Sequence, residues 1–228
     1  MNLGRLARRF LGSKGFALAG AVYRRVFVDL DKVVEAIGSF GEAQRLLDVG
    51  GGDGVLLNLL LARHPTLHVT LVDAARGAGT QIRPEYRARV EVLEGTSLAS
   101  YAQSRPAQAP DAVLVSDVMH HVPPAQRGAF LRDLAAVLDE RPVRLLVKDM
   151  EPGHFRTTLG GLADRYVSGD RGVQFLTREE LRRLVADTFP AAKCRETNLF
   201  RTDPPNYCLE FSLPSPASLT ESPGVPAP

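Results

Sequence analysis

The residues whose types and spacing suit chemistry fall into three groups. The first is LLDVGGGDGVLL, where Gly50, Gly52 and Gly54 alternate directly after an apolar run that carries Asp48. Alternating glycines let a backbone turn tightly and bring its N–H groups up to a ligand at a helix N-terminus, so a cofactor is expected here. The second is Asp73, which closes HVTLVD and can accept hydrogen bonds from paired hydroxyls. The third is SDVMHHVPP, Ser116 to Pro124, with His120 and His121 side by side before two prolines. Such a pair suits metal binding, proton transfer near neutrality, or a polar turn. Adjacent residues rarely reach one ion together, and no third Cys or His is spaced to complete a zinc site, so no metal is expected at the histidines.

These groups need a scaffold that ends its strands at one edge. From Gln44 onward, RLLDV, HVTLVD, RVEVLE, DAVLVS and VRLLVKD alternate with helical stretches, the pattern of a parallel sheet covered on both faces. VLLNLLLARH carries Leu at helical spacing, PPAQRGAFLRDLAAVLDE opens with proline, and TREELRRLVADTF pairs Thr177 with Glu180 in capping-box spacing. AAKCRETNLF and NYCLEFSL, around RTDPP, read as two closing strands. The expected fold is α/β, doubly wound and Rossmann-like. It is a mostly parallel seven-stranded sheet with an antiparallel closing strand and an N-terminal helical appendage. Residues 1–40 form the appendage, expected to complete a lid; 41–213 form the cofactor-binding domain; and 214–228, rich in Pro and Ser, form a disordered tail.

Composition narrows the partners. At 228 residues the chain fits one such domain, and no apolar run is long enough to span a bilayer, so a soluble cytoplasmic protein without a transmembrane segment is expected. A net charge of +2 is too small to imply a nucleic-acid partner. The basic residues Arg5, Arg8, Arg9, Lys14, Arg24 and Arg25 all precede the first acid, Asp29. They flank the apolar FALAGAV without a cleavage site, which favours a helical appendage over a targeting segment. Only Cys194 and Cys208 are present, so no disulfide framework is expected, and without a C-x-x-C spacing they serve packing rather than redox chemistry.

Spacing then selects among cofactors. A dinucleotide fingerprint needs G-x-G-x-x-G, and Val55 stands where the third glycine belongs, which weakens a nicotinamide reading. DVGGGDG, the acid of LVDA, the HPTL before the second strand and the strand end SDVMHHV resemble the motifs of class I S-adenosylmethionine-dependent methyltransferases. Among these the chain is most similar to small-molecule O-methyltransferases of the caffeate and hydroxyindole type, over Gln44 to Pro190. The resemblance implies S-adenosyl-L-methionine as methyl donor, lying across the carboxyl ends of the strands, and a small-molecule acceptor. It places Asp48, Gly50, Gly52 and Gly54 at the methionine half, and Asp73 with Ala74 at the ribose. Gly95, Thr96 and Ser97 would flank the adenine, with Ser116 beside the donor.

On the acceptor side it aligns His120 with the family's catalytic histidine, a general base for a hydroxyl. Asp149, ending VRLLVKD, is the acid expected to orient that base and stabilise its imidazolium. His121, and His154, Arg165 and Tyr166 of the glycine-rich loop EPGHFRTTLGGLADRYVSGDRG, are expected toward the acceptor. Thr96 stands where the family often has Asp, His121 where it has Asp, and the chain contains no Trp where the family has one. Only some forty residues precede the sheet, where relatives usually carry a dimerisation domain, so the oligomeric state stays open, a homodimer included.

Several rivals share these motifs. A C- or N-methyltransferase needs no histidine base. A metal-dependent O-methyltransferase would hold Mg²⁺ with Asp117 and Asp149, although Met150 stands where that family has Asn. An aminopropyltransferase would need an aspartate where Ser116 stands, and a nucleic-acid amino-methyltransferase would need DPPNY, Asp203 to Tyr207, after the fourth strand instead of in the last turn. A donor-binding module without catalysis is the non-enzymatic alternative.

Overall fold

The structure, a computed structural model, describes residues 30–38, 43–104, 108–138, 141–163, 172–197 and 204–213. The first half contains α1 (Leu30–Gly38), β1 (Arg45–Val49), α2 (Val55–Arg63), β2 (His68–Asp73), β3 (Val90–Glu94), α3 (Leu98–Gln103) and β4 (Ala112–Ser116). The second contains α4 (Pro124–Ala135), β5 (Val143–Met150), α5 (Phe155–Ala163), α6 (Arg178–Thr188), β6 (Lys193–Glu196) and β7 (Asn206–Leu213). Two 3₁₀ turns, Pro84–Arg89 and Met119–His121, complete the set.

The strands form one sheet in the order β3-β2-β1-β4-β5-β7-β6. β1 to β5 run parallel and β7 runs antiparallel to both of its neighbours, as the sequence leads one to expect. Successive strand residues point to opposite faces, so the unbroken apolar runs bury both. Leu47, Val113, Leu145 and Phe211 join α3, α4 and α6 on one face, while Leu46, Leu71, Leu114 and Leu146 join α1 and α2 on the other. The Thr177–Glu180 capping box starts α6 as its spacing requires.

Chain order reverses between β1 and β4, and ligands in open α/β sheets sit outside the carboxyl ends of the strands at such a switch point. Val33 and Val34 of α1 are fully buried against α2, so the last part of the expected appendage contributes to the core. Residues 1–29, the tail 214–228, and Arg165, Tyr166 and Asp203 lie outside the described residues. No helix among the described residues is long and apolar enough to cross a membrane.

Candidate active site

β1 delivers the glycine loop to the switch point. Gly50 has φ +72, its N–H donates to Val72 O at 2.7 Å, and a Cβ on it would lie 2.5 Å from Val118 Cγ2. Glycine here lets the loop touch the segment that carries the histidines. Gly52 differs, because its Cβ direction is open. Its N–H donates to Asp73 Oδ2 at 2.9 Å, and Asp73 Oδ1 accepts the Ala75 N–H at 2.7 Å, with Ala74 exposed between them. Gly54 precedes α2, at whose N-terminus the loop ends.

Beneath the loop, Asp48 is only 1% exposed, and its Oδ2 has no partner among the described residues. Burial, with the charge of Asp73 added, pushes its carboxyl up from 3.8 to about 7. An open glycine edge above an unpartnered buried carboxylate suits a ligand that brings hydrogen-bond donors and positive charge, which is the chemistry of the expected donor's aminoacyl end.

Further out, the loops after β2 and β3 are laced together. Gly77 N–H donates to Glu94 Oε2 at 2.6 Å, Gly95 N–H to Ala75 O at 3.1 Å and Thr96 N–H to Asp73 O at 2.9 Å. Ser97 is engaged differently, since its hydroxyl caps α3 by accepting the Ser100 N–H at 3.1 Å.

The histidine side is built from buried side chains. His120 and Asp149 are 4% and 0% exposed, and Nδ1 lies 2.7 Å from Asp149 Oδ1. Asp149 Oδ2 also accepts the His120 N–H at 3.2 Å, and Oδ1 accepts the Met150 N–H at 2.8 Å. Burial alone would raise the Asp149 carboxyl, but the His120 charge and hydrogen bond, the Met150 N–H and the Lys148 charge outweigh it and hold the group below its ordinary value. Next to this pair, the fully buried Lys148 puts its Nζ 2.6 Å from Asp117 Oδ1. Asp117 has φ +56, an uncommon backbone state for a residue with a side chain, and its Oδ2 accepts the Ser116 hydroxyl at 3.3 Å.

Asp117, His120 and Asp149 each offer a ligand atom within 4.8 Å of the others. Asp149 is already engaged by His120 and Asp117 by the Lys148 ammonium, so the negative charge a divalent ion needs is neutralised by the protein itself. That geometry weighs against the metal-dependent alternative.

His121 closes the 3₁₀ turn through its N–H to Val118 O, and its ring lies 4.2 Å from that of His120. His154 Nδ1 accepts the Arg156 N–H at 3.2 Å and so caps the first turn of α5. Of the two acceptor-side candidates among the described residues, His121 lies against His120 and His154 sits at the start of α5; Arg165 and Tyr166 lie outside the described residues. An open groove of about 830 Å³ lies toward the opposite ends of the strands, lined by residues such as Arg45, His68, Glu91 and Tyr101, and includes neither the glycine-loop residues nor His120 and His121.

Three residues of the site were not anticipated: Lys148, Arg127 and Phe175. Two left a trace in the sequence. Arg127 shares the buried stripe of α4 with Leu131 and Leu134, and Lys148 interrupts a run buried on both faces, so each is a charge where only an apolar residue is expected. Phe175 left none, since it lies outside regular structure.

A family model for a methyltransferase domain matches residues 22–188. No curated protein matches the chain. Among solved structures, an O-methyltransferase family protein from Burkholderia thailandensis aligns with a TM-score of 0.68 at 21% identity, over 91% of this chain and 62% of that one. Human N-acetylserotonin methyltransferase in complex with SAM aligns at 0.66 and 15%, over 92% of this chain and 58% of that one. A SAM-dependent methyltransferase from Archaeoglobus fulgidus aligns at 0.59 and 15%, over 91% and 97%. At such identities the likeness is one of fold, and the chain spans about three fifths of the length of the first two.

Proposed function

The chain belongs to the methyltransferase-domain family, and from that premise we propose that it methylates a hydroxyl of a small molecule with S-adenosylmethionine as donor. The observation that carries the choice of oxygen is the buried His120–Asp149 pair, set against the glycine loop through Val118 and Gly50. A neutral amine is nucleophilic without a base, whereas a hydroxyl becomes a good nucleophile as a base removes its proton. A reducing cytoplasmic setting fits the two free cysteines.

When bound, S-adenosylmethionine supplies an electrophilic methyl on its sulfonium. Asp48 and the Gly52 edge would receive the aminoacyl end, and Asp73 the ribose hydroxyls. Asp149 accepts from the Nδ1–H of His120, which makes Nε2 the ring nitrogen for proton transfer. Nε2 would take the proton that the acceptor hydroxyl loses on methylation, and Asp149 would stabilise the imidazolium that results, the donor's leaving group being S-adenosylhomocysteine.

Calorimetry with S-adenosylmethionine, its decarboxylated analogue and NAD tests the donor, with binding of the first alone expected; tight binding of NAD overturns the assignment. For the base, His120→Ala should leave donor affinity unchanged and lower transfer of labelled methyl to a panel of small phenols by about 100-fold or more. An unchanged rate removes His120 from the reaction.

A further inference from the structure

The segment 172–177, between α5 and α6, crosses His120 and is tied down on both sides of it. Gln174 N–H donates to His120 O at 2.9 Å, while Gln174 O accepts from Arg127 Nη2. Arg127, itself only 6% exposed, also donates from Nε to Val122 O at 3.1 Å, so one buried guanidinium clamps the segment to the turn that carries the histidines. Leu176 O accepts the Tyr207 hydroxyl at 3.2 Å, and Thr177 then caps α6. Between these ties the Phe175 ring stacks on the imidazole, with centroids 4.8 Å apart and planes 28° from parallel. Behind it stands Gly161 of α5, where a Cβ would lie 3.2 Å from Phe175 Cε2.

We propose that Phe175, clamped by Arg127 through Gln174, is a positioning residue for His120: it holds the imidazole on Asp149, and its π face stabilises the imidazolium formed when the base takes a proton. This rests on the reading of His120 as base. An aliphatic side chain of similar bulk would fill the same space but would present no quadrupole to the cation. Among the described residues, the ionisable groups around the ring are Asp149 and Lys148 from β5, Asp117 after β4, His121 on the same turn, Arg127 on α4 and the Tyr207 hydroxyl from β7. Residues 174 to 177 of the segment add no charge to that set, so replacing Phe175 changes no charged neighbour.

The experiment is a pH titration of the His120 ring by nitrogen-detected NMR on the full chain, without any acceptor, its signals assigned with His120→Gln. Phe175→Leu should lower the titration midpoint by about half to one pH unit, and Phe175→Tyr should restore it. Gly161→Ala presses on Phe175 from α5 without touching His120 and should displace the His120 ring signals; it keeps the test decisive if Phe175→Leu fails to fold. A midpoint unchanged in Phe175→Leu, an equal shift in Phe175→Tyr, or silence of His120 in Gly161→Ala overturns the proposal. Calorimetry with S-adenosylmethionine on the wild type runs beside it. Loss of donor binding with the NMR shifts intact would remove the methyltransferase reading alone, and the converse would remove only the role of Phe175.

Discussion

Asp48 and Asp149 are both buried aspartates at the carboxyl end of a parallel strand, and their carboxyls are driven in opposite directions. Under the glycine loop, Asp48 meets burial and a like charge, and rises to about 7. At the end of β5, Asp149 meets the same burial but also His120, the Met150 N–H and Lys148, and falls below its ordinary value. Burial therefore does not decide the state of a carboxyl here; its partners do. The donor half of the site keeps an unsatisfied acid, which suits a half that receives a ligand with donors of its own. The side proposed for catalysis has its charges already paired, which suits holding a base in one geometry.

Truncation of the paired acid is the largest expected effect. Asp149→Ala leaves His120 and the Lys148 charge without their carboxylate, and should cost about 3–5 kcal/mol of stability by chemical denaturation. Asp149→Asn keeps the shape and should fold, yet lose methyl transfer with donor affinity retained, since the imidazolium loses its counter-charge. A cost below about 1 kcal/mol for Asp149→Ala would mean that the two halves do not differ as described.

The unpaired acid gives the next effect, with the opposite sign. Its folded-state value lies above the ordinary 3.8, so between pH about 4 and about 7 the native state holds a proton that the unfolded chain has released. Stability of the ligand-free protein should fall across that window by a few kcal/mol, at no more than about 1.4 kcal/mol per pH unit from this group. Asp48→Asn should flatten this part of the profile. Asp149 behaves in reverse: its contribution is complete above pH 3.8 and is lost as pH falls through its lowered value. A wild-type profile that is flat from pH 4 to 7 and unaltered by Asp48→Asn would break the comparison.

Lys148 and Asp117 form an intermediate case. Asp117 keeps contact with solvent, so Lys148→Met should cost about 1–3 kcal/mol, less than the loss of Asp149. The double variant with Asp117→Asn should recover much of that, as measured by a double-mutant cycle.

How far each half was legible in the sequence follows from the same difference. Asp48, Gly50, Gly52 and Gly54 lie on one strand-to-helix turn, and Asp73 ends the next strand, so short apolar runs and glycine spacing were enough to expect these residues at neighbouring strand ends. The five parallel strands and the capping box of α6 were legible for the same local reason. The His120–Asp149 side is not local. His120 meets Asp149 from 29 residues away, and Arg127 meets Gln174 from 47 away. Those contacts depend on the β4–β5 register, which sets Ser116 opposite Lys148, and on a left-handed Asp117 that no pattern announces. His154 shows the limit on the polar side: its residue type suggested a ligand contact, while its position before α5 makes it a cap.

Ser97 gives the smallest effect and sharpens the boundary of the donor half. By resemblance it belongs beside the adenine, but its hydroxyl is engaged in capping α3, with the Ser100 N–H at 3.1 Å and the Ser100 hydroxyl at 2.9 Å. If capping is its role, Ser97→Ala should lower stability by about 0.5–1 kcal/mol and leave the affinity for S-adenosylmethionine within about twofold. If the hydroxyl instead turns to the donor, affinity should fall about tenfold, the loss of roughly one hydrogen bond, with little change in melting temperature because α3 is only six residues long. Melting and calorimetry on the same sample separate the two. The backbone N–H of Thr96, tied to Asp73 O, would then mark where the donor half ends and the supporting scaffold begins.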